Sequence, residues 1–375
     1  MKRILFRLPL LVLCAWPVSV AWGQQTAGTC SNDWSEFHRT NMRRWNPCER
    51  VLDVKRVGRL TLQWSYVIGG SSGDGPALVN GVVYVGSSDD NVYALDADTG
   101  TELWSYTTSG SVYTAPAVAN GVVYVGSFDD NVYALNASTG AKVWSFTTGS
   151  AVPFSPVVAN GVVYVGSYDH NLYALNATTG AKLWSFQSKS ELSASPAVAN
   201  GVVYFGAGHN LYALKAKTGR KLWKYFAGSL VEGSPAVANR VMVYFGAGNA
   251  VYALNAKTGA KLWSYVTGGG VYGSPAVANG TVYFGDAGGN VSALNAYTGA
   301  KRWSFLTGNS VSASAAGANG VVYIGSNDDH VYALKASTGA KLWSYATGNY
   351  TLTPIVANGM VFVSDFTNLY AFGLP

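Results

Sequence analysis

Tryptophan recurs in this chain with a period close to 40 residues, and this spacing constrains the fold more than any other feature. The marks are Trp64, Trp104, Trp144, Trp184, Trp223, Trp263, Trp303 and Trp343, with a single step of 39 residues. Eight marks on a nearly constant period are typical of a repeat architecture. We therefore expect a series of small, similar units rather than one irregular core.

Each unit contains four short apolar segments that are typical of β-strands. In the unit that contains Trp184 they are Pro156 to Ala159, Val162 to Gly166, Leu172 to Leu175 and Lys182 to Phe186, which we name strands A to D. Glycine-containing turns separate these segments, so none is long enough to form a helix. Asn160-Gly161 predicts a tight hairpin between strands A and B, because a two-residue turn of the favoured hand needs positive φ at both positions.

The two ends of the repeat array predict how the units are arranged. Four antiparallel strands in ~40 residues is the size of a propeller blade, and closing the blades into a ring protects their edges. The last unit stops after strand C, whereas Trp64 lies in a strand D with no earlier strands before it. We therefore predict an all-β, eight-bladed β-propeller of four-stranded antiparallel blades over residues 60–375, closed by an N-terminal strand in which Leu60 to Val67 pairs with Asn368 to Phe372.

The repeated motifs VVYVGS, NLYALNA, TG and KLWSF closely resemble the pyrroloquinoline-quinone (PQQ) repeat. That repeat occurs in quinoprotein alcohol dehydrogenases and in non-enzymatic propellers such as the outer-membrane-protein assembly lipoprotein. The resemblance covers residues 60–372. The other common propeller repeat, of the WD type, would show Gly-His and Trp-Asp in each unit, and neither pattern is present. The resemblance implies a propeller but is compatible with either an enzyme or a scaffold.

Residues 1–23 have the pattern of a secretory signal peptide. A basic start precedes an apolar run from Leu8 to Val20, and small residues stand at Ala21 and Gly23. The run is too short to span a bilayer, so no transmembrane segment is expected. Removal of this segment would leave 22 cations and 19 anions, which gives no support to nucleic-acid binding. We predict an exported, monomeric protein, located in the periplasm or outside the cell.

Residues 24–59 form a lead-in segment before the repeats. Its two cysteines, Cys30 and Cys48, are expected to form a disulfide in an oxidising compartment. The segment resembles the entry segment of quinoprotein dehydrogenases through Trp34, Phe37, Arg44 to Pro47 and Val57 to Leu60. We expect it to pack across the outside or one end of the propeller, with His38 and the arginines as surface or packing groups.

The two faces of the predicted propeller differ in charge. The loops between strands B and C read SSDDN, SFDDN, SYDHN, AGHN, AGNA, DAGGN, SNDDH and SDFTN, so carboxylates cluster there. Lysines follow most of the Thr-Gly turns between strands C and D, on the opposite face. Clustered oxygens can bind calcium, but Asp and Asn at hairpin tips are more often turn formers. We predict an electrically polar disc without a metal site.

The loops that enter strand A converge on the propeller axis, where ligand sites gather. Positions nine and ten residues after the marker tryptophans include Asp74, Tyr113, Phe154, Glu232 and Tyr272. Aromatic groups with a few polar ones are the mixture expected of a binding surface. We predict a ligand or partner site there; the alternative is that these side chains only close the channel mouth.

The resemblance implies a specific cofactor site in the enzymes. They hold PQQ between a tryptophan and a disulfide of two adjacent cysteines, with calcium bound by Glu, Asn and Asp. This chain has no adjacent cysteines, and only Glu232 has a plausible place in such a set. We therefore assign no catalytic residue and expect no cofactor, PQQ with calcium being implied by resemblance alone.

The favoured function is a non-catalytic scaffold that binds a protein, a peptide or an envelope component. The alternatives are a PQQ-dependent alcohol or sugar dehydrogenase and a propeller that binds a sugar or another small ligand.

Overall fold

Each repeat forms an antiparallel sheet, and eight such sheets stand as blades around a common axis. The computed structural model describes residues 31–39, 43–238 and 241–375. Within each blade the strands follow one another in the order A, B, C, D. Strand A lies nearest the axis, since successive blades contact one another through these strands. The predicted eight-bladed propeller is confirmed.

The strand bounds are similar from blade to blade. Strands A to D are Ala77–Val79, Val82–Gly86, Asn91–Asp96 and Glu102–Thr107 in blade 1, and Ala117–Ala119, Val122–Gly126, Asn131–Asn136 and Lys142–Thr147 in blade 2. They are Val157–Ala159, Val162–Gly166, Asn171–Asn176 and Lys182–Gln187 in blade 3, and Ala197–Ala199, Val202–Ala207, Asn210–Lys215 and Lys221–Phe226 in blade 4. They are Ala236–Ala238, Met242–Ala247, Ala250–Asn255 and Lys261–Val266 in blade 5, and Ala276–Ala278, Thr281–Gly285, Asn290–Asn295 and Lys301–Leu306 in blade 6. They are Ala316–Ala318, Val321–Ser326, His330–Lys335 and Lys341–Ala346 in blade 7, and Ile355–Ala357, Met360–Ser364, Asn368–Gly373 and Thr61–Val67 in blade 8. A short strand, Trp45–Asn46, and a 3₁₀ helix, Val57–Arg59, precede the blades.

The A-to-B turns have the predicted conformation. Asn160 and Gly161 both adopt positive φ, at 51° and 74°. Strand A of this blade begins at Val157 rather than at Pro156, as expected for a residue that has no N–H to donate to a ladder. The local sequence pattern therefore predicts strand ends to within about one residue.

The ring is closed by the strand that precedes the first complete blade. Thr61–Val67 pairs antiparallel with Asn368–Gly373, as predicted. The N-terminal part of the propeller thus supplies the outermost strand of the last blade. Because the first and last strands share one sheet, no blade is left incomplete.

The marker tryptophans pack between neighbouring blades, where large aromatic side chains bury much apolar surface. The Nε1–H of Trp104 donates to the carbonyl of Ala137 in the next blade at 2.9 Å. A Cβ at Gly140 would lie 2.7 Å from the same indole ring, so only glycine fits this turn. The same bond joins Trp64 to Ala97, Trp144 to Ala177, Trp184 to Ala216, Trp223 to Ala256, Trp263 to Ala296 and Trp303 to Ala336, while Trp343 donates to Leu60.

Residues 31–39 and 43–50 of the lead-in segment lie inside the ring of A strands, so the expectation that the whole segment packs on the outside or at one end was wrong. Residues 51–59 do pack at one end, where Val51 and Val54 lie against the A-to-B turns at Gly359 and Gly320. The part inside the ring bonds the central residue of successive A strands, whose inner edges would otherwise have unpaired backbone groups. The amides of Leu78, Val118, Val277 and Gly317 donate to the carbonyls of Trp34, Ser35, Arg43 and Arg44, the Val158 amide donates to the Glu36 carboxyl, and Asn46 donates to the carbonyl of Val356. We call residues 31–39 and 43–50 the axial segment.

Buried polar groups hold the axial segment in place. Glu36, His38 and Arg44 are all buried, so these side chains are packing groups and not surface groups. The Arg44 guanidinium donates to the carbonyls of Ala315 at 2.8 Å, of Pro354 at 3.1 Å, and of Phe37. Burial lowers the pKa of Arg44 to about 9. One cation therefore ties two blades to the segment.

Candidate functional site

The B-to-C and D-to-A loops lie on one face, which we call the loop face. The A-to-B and C-to-D turns lie on the other, which we call the turn face. In blade 2, Asp129 accepts hydrogen bonds from the backbone of Asn131 at 3.0 Å and from the Tyr133 hydroxyl at 2.6 Å. It also accepts one from the backbone of Ser109 in blade 1, at 2.9 Å. Asp129 therefore shapes its own loop and joins two blades. Within the described ranges no group of three or more His, Cys, Asp or Glu side chains could hold a metal ion.

A small pocket opens on the axis at the loop face. Its volume is about 120 Å³. Phe37 of the axial segment lines it together with loop residues from five blades, which are Gly73, Asp74, Glu232, Ser234, Tyr272, Gly273, Ser274, Ser312, Ala313, Ser314, Leu352 and Thr353. The axial segment thus contributes to the pocket as well as filling the channel.

A belt of hydroxyl groups surrounds the axis at the start of the A strands. Each hydroxyl accepts a hydrogen bond from the backbone of the preceding blade; for example, the Ser155 amide donates to Ser195 Oγ at 2.9 Å. The acceptors are Ser155, Ser195, Ser234, Ser274, Ser314 and Thr353. This repeated serine therefore has a structural role.

Asp74 is the member of the predicted site that interacts with this belt. Its Oδ2 accepts hydrogen bonds from Ser155 Oγ at 2.5 Å and from Ser195 Oγ at 3.4 Å. Burial raises the pKa of Asp74, while the Ser155 hydrogen bond and the charge of Arg44 oppose the rise. The carboxylate thus lies in a poorly hydrated place where one cation, Arg44, acts on it.

Glu232 and Tyr272 also line the axial pocket, as predicted. Burial raises the pKa of Glu232, and no charged group among the described residues contributes to that shift. Tyr272 is 45% exposed, and its ring lies over Gly270, where a Cβ would be 2.7 Å from the phenol. The structure therefore brings together Asp74, Glu232 and Tyr272.

Tyr113 and Phe154 do not line this pocket; they belong to a neighbouring cluster of aromatic rings. Tyr113 packs edge-on against Phe128 with centroids 5.2 Å apart, and Phe154 against Tyr168 at 5.8 Å. Phe128 and Tyr168 contact each other at 6.3 Å. We call these four residues the aromatic ridge.

Two members of the ridge were not predicted from the sequence. Phe128 and Tyr168 are 39% and 38% exposed and occupy the second position of the loops SFDDN and SYDHN. Blade 1 has Ser88 at this position. An aromatic residue in place of this serine was the sequence signal that could have identified Phe128 and Tyr168.

The axial pocket does not fit PQQ. A tricyclic quinone needs a flat slot of several hundred cubic ångströms, as is usual for cofactor sites, and the pocket holds about 120 Å³. PQQ carries carboxylates, and the described residues of the lining include Asp74 and Glu232 but no basic side chain. Size and charge both disfavour the quinone here.

The comparisons with known proteins agree with the propeller fold. A family model described as outer membrane protein assembly factor BamB matches residues 51–185, 168–310 and 289–372. A quinoprotein ethanol dehydrogenase from Pseudomonas putida is 46% identical over 68 residues, which are 17% of this chain and 11% of that protein. The chain therefore matches only a small part of this curated relative's length.

Two solved structures show the same fold. The quinohemoprotein alcohol dehydrogenase ADHIIG from Pseudomonas putida HK5 superposes with a TM-score of 0.80 at 18% identity, covering 92% of this chain and 80% of that chain. BamB from Moraxella catarrhalis gives a TM-score of 0.72 at 17% identity, covering 84% of this chain and 99% of that chain.

In the part of the chain that the structure describes, no helix has the length and apolar character needed to cross a membrane. The candidate signal peptide and Cys30 lie outside the described residues. The family model, in contrast, covers most of the chain. The chain therefore belongs to the PQQ-like β-propeller repeat family whose model is described as outer membrane protein assembly factor BamB.

Proposed function

We propose that this protein is a non-catalytic scaffold that binds a polypeptide partner on its loop face. The observation that carries the proposal is the aromatic ridge. Phe128 and Tyr168 leave more than a third of their surface exposed beside acidic loops. Exposed aromatic side chains at a polar face are typical of protein interfaces. The match to a model described as an assembly factor is consistent with a protein partner.

The charge of the loop face suggests the chemistry of the partner. The loops of blades 1 and 2 each carry an Asp-Asp pair next to the ridge. An acidic surface favours encounters with basic partners. We therefore propose that the partner presents apolar side chains flanked by lysine or arginine.

A photo-crosslinking amino acid placed at position 168 in the source cells tests this proposal. We expect a discrete protein adduct from position 168 and none from position 183. Leu183 is a suitable control because it is 52% exposed on a D strand, away from the ridge. The crosslinked partner is then purified for titration.

Repeat-matched variants sharpen the titration. Phe128→Ser and Tyr168→Ser give blades 2 and 3 the residue that blade 1 has at Ser88. Leu183→Arg similarly gives blade 3 the residue that blade 6 has at Arg302. We expect the double ridge variant to weaken binding by about tenfold or more, as for truncated aromatic hot spots, and Leu183→Arg to leave it unchanged. Equal losses, or none, would contradict a ridge interface.

The enzymatic alternative has its own test. We expect no dye-linked oxidation of alcohols or sugars after reconstitution with PQQ and calcium, because the axial pocket is small and contains carboxylates. Turnover that depends on added PQQ would overturn the scaffold proposal.

We also propose that the protein is exported and that Cys30 and Cys48 form a disulfide. A bridge of this loop length contributes roughly 3 kcal/mol in the chain-entropy model. Thiol labelling of the native exported chain without reductant should find no free cysteine. Two labelled thiols would refute the pairing.

A further inference from the structure

The axial pocket contains one negative charge that the described residues do not balance. Asp74 and Glu232 both line it. Arg44 acts on Asp74 from the axial segment and offsets that charge. Glu232, in contrast, makes no hydrogen bond or ion pair within the described ranges, and burial alone raises its pKa. Glu232 is of intermediate burial, and a carboxylate that has lost part of its hydration favours a nearby cation.

The size of the pocket restricts which cation can enter. A volume of about 120 Å³ lies below the range of roughly 300–1,000 Å³ that is usual for small-molecule sites. A pocket of this size suits an ammonium group with a few methylenes better than a sugar ring. The described residues of the pocket do not form a group of three or more His, Cys, Asp or Glu side chains that could hold a metal ion. A single positive group on a narrow stem therefore suits both the charge and the volume.

The remaining wall groups suit an ammonium ion. An ammonium has three N–H donors and no acceptor, and Glu232, Ser234 and Ser312 supply oxygen atoms around the pocket. Tyr272 stands at the mouth with 45% of its surface exposed, where its ring can contact a cation or the methylenes that carry it. A guanidinium is broader and planar, so the compact ammonium suits the small pocket better.

We propose that the axial pocket binds the ammonium group of a lysine side chain that the polypeptide partner presents. This proposal rests on the proposed function and names the chemical group that the loop face recognises on its axis. The aromatic ridge would hold the apolar part of the partner, while Glu232 pairs with the inserted lysine. The two contacts come from different blades and can be removed separately.

The test uses short peptides of defined chemistry. Acetyl-Gly-Lys-Gly-amide, its norleucine analogue and its side-chain-acetylated form are titrated against the full-length exported protein by ligand-observed NMR. n-Butylammonium is included as a free amine. Glu232→Gln is the informative variant, because Glu232 has no partner among the described residues whose loss would disturb folding. Glu191→Gln is the matched control, since Glu191 is exposed in another D-to-A loop and does not line the pocket.

We expect saturable binding of the lysine peptide alone among the three peptides. Glu232→Gln should weaken that binding by about fivefold, as for the loss of a partly solvated charge pair, while Glu191→Gln should leave it unchanged. Equal binding of lysine and norleucine peptides, binding of none, or equal losses in both variants would overturn the proposal. Binding of n-butylammonium without the lysine peptide would keep the ammonium chemistry but contradict a polypeptide source.

The purified crosslinked partner separates this proposal from the proposed function. If the ridge variants weaken partner binding and Glu232→Gln does not, the result supports the scaffold proposal and contradicts lysine binding in the axial pocket. If Glu232→Gln weakens binding and the ridge variants do not, the result supports lysine binding in the axial pocket and contradicts an interface at the aromatic ridge.

Discussion

The ring of blades and the axial segment are built on opposite principles. Each blade contact is repeated around the ring, as in the indole-to-carbonyl bond from Trp104 to Ala137. The contacts of the axial segment, in contrast, differ from residue to residue. Ser35 bonds blade 2, whereas Arg44 bonds blades 7 and 8. Repetition distributes stability over many equal contacts, while a segment with single contacts concentrates it. This difference predicts that mutations on the axis cost more than mutations at any one blade.

Removal of the axial cation should have the largest effect. Arg44→Ala leaves the carbonyls of Ala315 and Pro354 without this donor and opens space beside Phe37. Loss of one partner from a buried charged network costs about 3–5 kcal/mol. We expect a correspondingly lower melting temperature by calorimetry. Arg59→Ala, at an exposed arginine, should change stability by no more than about 0.5 kcal/mol; equal effects would remove the distinction between axis and surface.

The buried carboxyl of the axial segment predicts a pH dependence of stability. Burial raises the pKa of Glu36 from 4.5 to about 8. The folded protein therefore binds this proton more tightly than the unfolded chain does. The stabilisation is fully present below pH 4.5 and is lost as the pH rises through about 8.

Glu36→Gln tests that dependence, because glutamine does not ionise. Relative to the variant, the natural protein should lose roughly 2 kcal/mol between pH 6 and pH 8, measured by urea unfolding at each pH. Glu191→Gln, at an exposed carboxyl, should leave the profile unchanged. Parallel profiles for Glu36→Gln and the natural protein would contradict a buried, protonated Glu36.

A pair of glycines measures what one tryptophan between blades contributes. Gly140 and Gly121 have similar φ values, 71° and 75°. A Cβ at Gly140 would meet the Trp104 ring at 2.7 Å, whereas a Cβ at Gly121 meets nothing within 4 Å. Both alanine variants share the backbone strain, so their difference isolates the tryptophan contact. We expect Gly140→Ala to be less stable than Gly121→Ala by about 1–3 kcal/mol, and equal melting temperatures would contradict a contribution from that contact.

The aromatic ridge should contribute least to stability. Phe128→Ser removes a ring that is 39% exposed and contacts Tyr113 and Tyr168. We expect a loss of about 0.5–1.5 kcal/mol, the size of an aromatic pair contribution. A much larger loss in thermal unfolding would indicate that the ridge is part of the core and not a binding surface.

The same contrast explains how much could be predicted from the sequence. The blade count, the closing strand and the Asn160-Gly161 turn could be predicted because their local sequence patterns recur. The repeats of a single chain can therefore be compared with one another. The position of Arg44 on the axis has no such signal, because its partners Ala315 and Pro354 come close only when the ring is closed. For the same reason, Glu232 and Tyr272 could be placed near the axis but Tyr113 and Phe154 could not be separated from them.

Hydrogen–deuterium exchange of the inner-strand amides tests the axial position of the lead-in segment most directly. The amides of Val118, Val277 and Gly317 donate to Ser35, Arg43 and Arg44, and without the segment they would face the channel. We predict that these amides exchange as slowly as those paired between strands B and C of the same blades. Exchange as fast as that of the exposed loops would contradict an axial segment.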